Sequence, residues 1–154
     1  MPLVSSTLKN SLQTMFEDAE NGVEITPNDW VNAITGYLGA AVTPPGLSVD
    51  VESSKGAFLG DVTSWYGGET FLINFPISIT TFSIAVMGLA NTRLSGTGVV
   101  TAPLAPVVLA PPVAIGVAGG SSSAVATSFA TILDLHFKTG TYLITGATIP
   151  VVWS

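Results

Sequence analysis

Apolar residues at the start of the chain recur at intervals of three and four, the spacing of one face of a helix. Leu8, Leu12, Met15, Phe16 and Ala19 form the first stripe, with Ser5 or Ser6 placed to cap it and Asn21-Gly22 placed to end it. A second start signal follows at Thr26-Pro27-Asn28-Asp29, a capping residue with proline in the first turn. Trp30, Ile34, Tyr37, Leu38 and Ala41 then repeat the same spacing until Pro44-Pro45-Gly46 stops the helix. Phe58, Val62, Trp65 and Tyr66 predict a third helix closed by Gly67-Gly68, although Gly56 and Gly60 weaken it. Phe82, Val86, Leu89 and Ala90 predict a fourth. Val125, Phe129, Ile132, Leu133 and His136 predict a fifth, opened by Ser121-Ser122-Ser123 and closed by Lys138-Thr139-Gly140.

Three stretches break this rhythm. Phe71 to Ile79 and Thr141 to Trp153 are rich in β-branched and aromatic residues and predict short strands. Residues 99–117 mix Val, Ala and Leu with Pro103, Pro106, Pro111 and Pro112, which forbids a long helix and makes a central strand unsuitable. An extended, proline-rich apolar arm is the expectation there, lying along a neighbouring subunit. The whole predicts a mainly α chain with minor β: one domain over 1–154, with a compact bundle of four to five short helices. Its parts are helical 5–45, mixed 50–95, an arm at 99–117, and a helix with a C-terminal strand over 121–154.

Composition adds an anomaly. Charged residues are 9% of the 154 positions, against about 25% in ordinary soluble domains, while the apolar share of 47% is usual. A surface of Ser, Thr, Gly, Ala and Pro is poorly suited to isolation in water and suits coverage by partners. Six of the ten acids (Glu17, Asp18, Glu20, Glu24, Asp29, Asp50) lie in the first fifty residues, and Leu94 to Leu133 carries no charge at all. The acidic end therefore suits water and the neutral half suits protein. A net charge of -6, with only Lys9, Lys55, Arg93 and Lys138 as cations, argues against nucleic acid as a partner. Thr70 to Thr92 is an uncharged run long enough to cross a bilayer, but Asn74, Pro76 and the hydroxyls of Ser78 to Ser83 dilute it, which argues against a span. The opening residues lack the basic and apolar regions of a secretory signal.

Candidate chemistry is sparse. With no cysteine and one histidine, thiolate sites and multi-histidine metal sites are impossible, and any histidine triad must use His136. On a helix Asp134 points away from His136 and Ser128 sits two turns off, so no triad is readable and a histidine at a solvent edge or helix end is expected. Glu17, Asp18 and Glu20 crowd the end of the first helix without matching a calcium-loop pattern, and read as a solvated acidic face. Glu52 and Asp61 are two isolated acids of unknown separation. Gly96-Thr97-Gly98 and the glycines from Gly116 to Gly120 lack a phosphate-loop context and read as turns. Trp30 and Trp65 fall on apolar stripes and suit the core, which leaves Trp153 as a contact candidate. No catalytic residue, metal site or cofactor is expected.

The opening Ser5-Ser6-Thr7-Leu8-Lys9-Asn10-Ser11-Leu12, the helix Trp30-Val31-Asn32-Ala33-Ile34-Thr35-Gly36-Tyr37, the Ala/Gly/Thr/Pro-rich middle and the terminal Val151-Val152-Trp153-Ser154 resemble small accessory structural proteins of tailed bacteriophage particles. The resemblance implies a non-enzymatic virion component, made in the host cytoplasm, that contacts copies of itself and other virion proteins. It points to tail, baseplate or neck, with a capsid decoration or cement protein as the alternative. Val107, Val108, Leu109 and Trp153 are the expected interface residues. A carbohydrate- or lipid-binding module and a small hydrolase remain the readings from other classes.

Overall fold

The computed structural model describes residues 3–39, 51–68, 70–93, 98–101, 121–138, 141–144 and 151–152. Among the described residues five helices form the bundle: α1 Ser5–Glu20, α2 Pro27–Leu38, α3 Glu52–Trp65, α4 Phe71–Arg93 and α5 Ser122–Lys138. Three short segments pair antiparallel in the order β1 Gly98–Thr101, β2 Thr141–Ile144, β3 Val151–Val152. The register sets Gly98 opposite Ile144, and Thr141 opposite both Thr101 and Val152. The helical bundle is the fold expected from the apolar spacing.

The helix ends are where local chemistry is most visible. Thr26 and Asp29 form a capping box at α2: the Thr26 backbone N–H and hydroxyl both donate to Asp29 Oδ2, at 2.7 and 2.8 Å. Ser121 Oγ accepts from the Ala124 N–H at 3.2 Å and caps α5. Gly22 follows α1 and Gly67 follows α3, each with φ of 88°, a conformation that residues with a Cβ resist. At the start of α1 the expectation fails. Val4 is the cap residue, no side chain takes the role, and Ser5 and Ser6 are already helical. Helix α2 ends at Gly39, ahead of Pro44; Ala41 and Pro44-Pro45-Gly46 lie outside the described residues.

The larger correction is Phe71 to Ile79, which is no strand but the first half of the 23-residue α4. Phe75, Ile79, Phe82 and Val86 are all buried, and their intervals of 4, 3 and 4 trace one helical face through the expected boundary. Ile73 and Ile77 sit on the opposite face, exposed. Apolar residues on both sides of a helix erase the period of 3.6 and leave the composition of a strand. Pro76 is accommodated near the start of this helix, and Thr80 Oγ1 donates back to its carbonyl at 2.9 Å.

Packing places α1 against α5 and α2, α2 against α3, and α3 against α4. Trp30 is the hub. Its ring lies 5.7 Å from Phe16 of α1, 5.3 and 5.2 Å from Phe71 and Phe75 of α4, and 5.2 Å from Phe129 of α5. These edge and tilted contacts join four helices around one side chain. Phe58 and Phe82 stack at 4.4 Å between α3 and α4. Phe75 meets Phe129 and Ser83 meets His136, so α4 and α5 run in the same direction. No described helix is long and apolar enough to cross a membrane.

Candidate functional site

Three places in the bundle invite a functional reading. The first is His136, which is not at a solvent edge: it is 2% exposed, and its Nε2 lies 3.0 Å from the hydroxyl of Ser83, itself 1% exposed. A period-based reading missed the pair because Ser83 comes from α4, fifty-three residues away. Ser83 Oγ also donates to the Ile79 carbonyl at 2.8 Å. A hydroxyl has one proton, so when it goes to Ile79 the imidazole must donate to Oγ, the reverse of a base that activates a nucleophile. A substrate also has no access to two groups this buried. The chemistry of the pair is to satisfy each other inside the core.

A second polar line lies alongside. The Tyr37 hydroxyl donates to Asp134 Oδ1, and Lys138 Nζ reaches Asp134 Oδ2 at 2.9 Å. Burial, then the bond to Asp134 and its negative charge, push the Tyr37 hydroxyl well above the ordinary tyrosine range. It stays neutral and acts as a tether between α2 and α5. Ser128, the other residue near His136 in sequence, bonds only the Ala124 carbonyl of its own helix among the contacts described.

The acids divide in the same way. Glu17 accepts from Gln13 Nε2 at 2.7 Å, and Glu20 accepts from Ser122 Oγ, which fastens the end of α1 to the start of α5. Asp18, Glu24 and Asp29 line a groove of about 310 Å³ between α1 and α2 with Met15, Val23 and Asn32. Asp29 is committed to its capping box, and no described group of three acids or histidines can hold a metal ion. Glu52 and Asp61 both belong to α3, nine residues apart, which sets them about 13 Å apart along the axis and on opposite sides. That is too far for a carboxylate pair. Trp30 and Trp65 are in or against the core, and Trp65 Nε1 donates to Ser78 Oγ at 2.9 Å, so neither offers an open platform for a sugar or base.

The third place is the outer side of α4. Ile73, Ile77 and Ile84 are 66%, 58% and 58% exposed, and Thr80, Thr81 and Ala85 between and beside them are also exposed. No charged residue occurs between Thr70 and Thr92. No protein family, curated protein or solved structure matches the chain. The expected interface residues Val107, Val108, Leu109 and Trp153, and all but the first residues of the 99–117 arm, lie outside the described residues. Among the described ones, the outward isoleucines of α4 are the surface that water suits least.

Proposed function

We propose that this protein is a non-catalytic assembly subunit, a structural component of a tailed bacteriophage particle. It serves the tail, baseplate or neck, where copies of itself and other virion proteins cover its uncharged surface. The observation that carries the reading is the row of exposed isoleucines on a helix that carries no charge before Arg93 at its end. Large aliphatic side chains scattered singly on a surface are ordinary, but three on one face of a helix uncharged from Phe71 to Thr92 suit a face covered by protein. The scarcity of charge elsewhere in the chain supports the same conclusion. The bacteriophage assignment comes from the resemblance of the α1 and α2 segments, the Ala/Gly/Thr/Pro-rich middle and the terminal Val151-Val152-Trp153-Ser154 to accessory virion proteins.

Its mechanism is burial. Apolar area taken from water at subunit contacts contributes about 25 cal/mol per Å², offset by the ordering cost of association. The sealed Ser83–His136 pair and the separated Glu52 and Asp61 fit a protein that performs no chemistry. Sedimentation of the purified full chain across a concentration series tests this. The sedimentation coefficient is expected to rise with concentration; a single, freely soluble monomer up to the millimolar range overturns the proposal.

A further inference from the structure

Helix α1 ends on Asn21-Gly22, and of the six asparagines in the sequence only Asn21 precedes a glycine. That pairing carries a chemistry of its own. The backbone nitrogen of the following residue, once hydroxide has taken its proton, attacks the asparagine Cγ; a five-membered succinimide closes and ammonia leaves. Water then opens either carbonyl of the ring, giving aspartate or isoaspartate. Water is the only co-reactant and no electrons are exchanged. Glycine, with no Cβ, leaves the attacking nitrogen least obstructed. Asn21, Gly22, Val23 and Glu24 are all exposed, so water and hydroxide reach the pair.

The fold ties down both reacting groups. Gly22 takes its φ of 88°, its N–H donates to the Ala19 carbonyl and the Val23 N–H donates to that of Asp18, each at 3.0 Å, the paired bonds of a Schellman end. The leaving amide is held as well: Asn21 Nδ2 donates to the Glu17 carbonyl at 2.9 Å. Ring closure therefore needs this turn to open, which helix ends do at small cost. We infer that Asn21 is a site of spontaneous deamidation, gated by opening of the last turn of α1, and that its conversion loosens the fastening of α1 to α5. The new charge falls where it is least tolerated. Aspartate at position 21 adds a carboxylate to Glu17, Asp18 and Glu20 at the negative end of the helix dipole, in a last turn with no basic residue. It also removes the donor to the Glu17 carbonyl. Isoaspartate carries the main chain through an extra methylene, which pulls Gly22 and Val23 away from the carbonyls of Ala19 and Asp18. The residue just before is Glu20, whose carboxylate accepts from Ser122 Oγ and joins the end of α1 to the start of α5.

The test follows the full chain over time at mildly alkaline pH, native and in guanidinium chloride, by peptide mass spectrometry that separates asparagine, aspartate and isoaspartate. Asn21 is expected to convert ahead of every other asparagine in both states, and about tenfold more slowly in the native chain, because hydrogen bonds on both reacting groups must first break. Native conversion at the denatured rate overturns the gating. A native chain still intact at Asn21 after about a hundred denatured half-lives overturns the site. The consequence is read on variants of the full chain by hydrogen exchange. Asn21→Asp stands for the product, and Asn21→Gln keeps an uncharged amide that cannot close the five-membered ring. In Asn21→Asp, exchange is expected to quicken at least about threefold at Gly22 and Val23 and at Ala124 and Val125, whose N–H groups bond Ser121 at the start of α5, with a smaller change in Asn21→Gln. Exchange in Asn21→Asp equal to that of the wild type overturns the loosening.

Discussion

Helices α1 and α4 solve the same problem in opposite ways. Helix α1 buries Leu8, Leu12 and Met15 on one side and gives water Asn10, Glu17 and Asp18 on the other. It is complete once it lies on α5 and α2. Helix α4 buries Phe75, Ile79, Phe82 and Val86, yet offers water Ile73, Ile77 and Ile84. A helix that is apolar on both sides belongs in the middle of something, and the bundle supplies only one side. The difference teaches that filling the core and satisfying the solvent are separate demands, and that α4 meets the first without the second.

The comparison breaks most sharply on α4 itself. Phe75→Ala removes a fully buried ring that touches Trp30 and Phe129, and is expected to lower stability by about 3–5 kcal/mol in denaturant unfolding. Ile77→Ala, two residues on, is expected to change the stability of the monomer by less than about 0.5 kcal/mol. Similar losses at the two positions would show that the faces are not distinct. Next in size is Ser83→Ala, which withdraws the hydroxyl that meets His136 Nε2 in the core and is expected to cost about 1–3 kcal/mol.

Tyr37→Phe sharpens the contrast from the polar side. Loss of the bond to Asp134 is expected to lower stability by about 1–2 kcal/mol at neutral pH. The native hydroxyl holds its proton above the ordinary tyrosine value, so the unfolded chain releases protons first as pH rises past about 10. The stability it contributes is therefore whole below pH 10 and is lost progressively above it, at up to about 1.4 kcal/mol per pH unit. Melting temperatures from pH 9 to 11 are expected to fall more steeply for the wild type than for Tyr37→Phe. The smallest effect is a gain. Gly60 is exposed in the middle of α3 with open space where a Cβ would stand, and Gly60→Ala is expected to add about 0.5–1 kcal/mol in the same unfolding assay.

How much of this was legible in the residues depended on how local its cause was. The Thr26-Pro27-Asn28-Asp29 signal and the stripes of α1, α2 and α5 act within a few residues, and those helices stand where periodicity puts them. Phe71 to Ile79 misleads because a helix with two apolar faces has no contrast to read, and its β-branched residues imitate a strand. His136 looked peripheral because its partner is brought by another helix; the same is true of Tyr37 and Asp134, ninety-seven residues apart. The outward isoleucines of α4 were hidden for a simpler reason: exposure of an isoleucine is a property of the packed bundle, not of its neighbours in the chain.

The hydrogen bond from Ser122 to Glu20 spans 102 residues, and the helices it joins are each other's largest packing partners. During synthesis at roughly 5–20 residues per second, α1 leaves the ribosome about 5–20 s before α5 exists to cover it. Throughout that interval Leu8, Leu12 and Met15 stand bare on the nascent chain, an opening for a chaperone to hold. Completion of the core thus waits on the translation of α5.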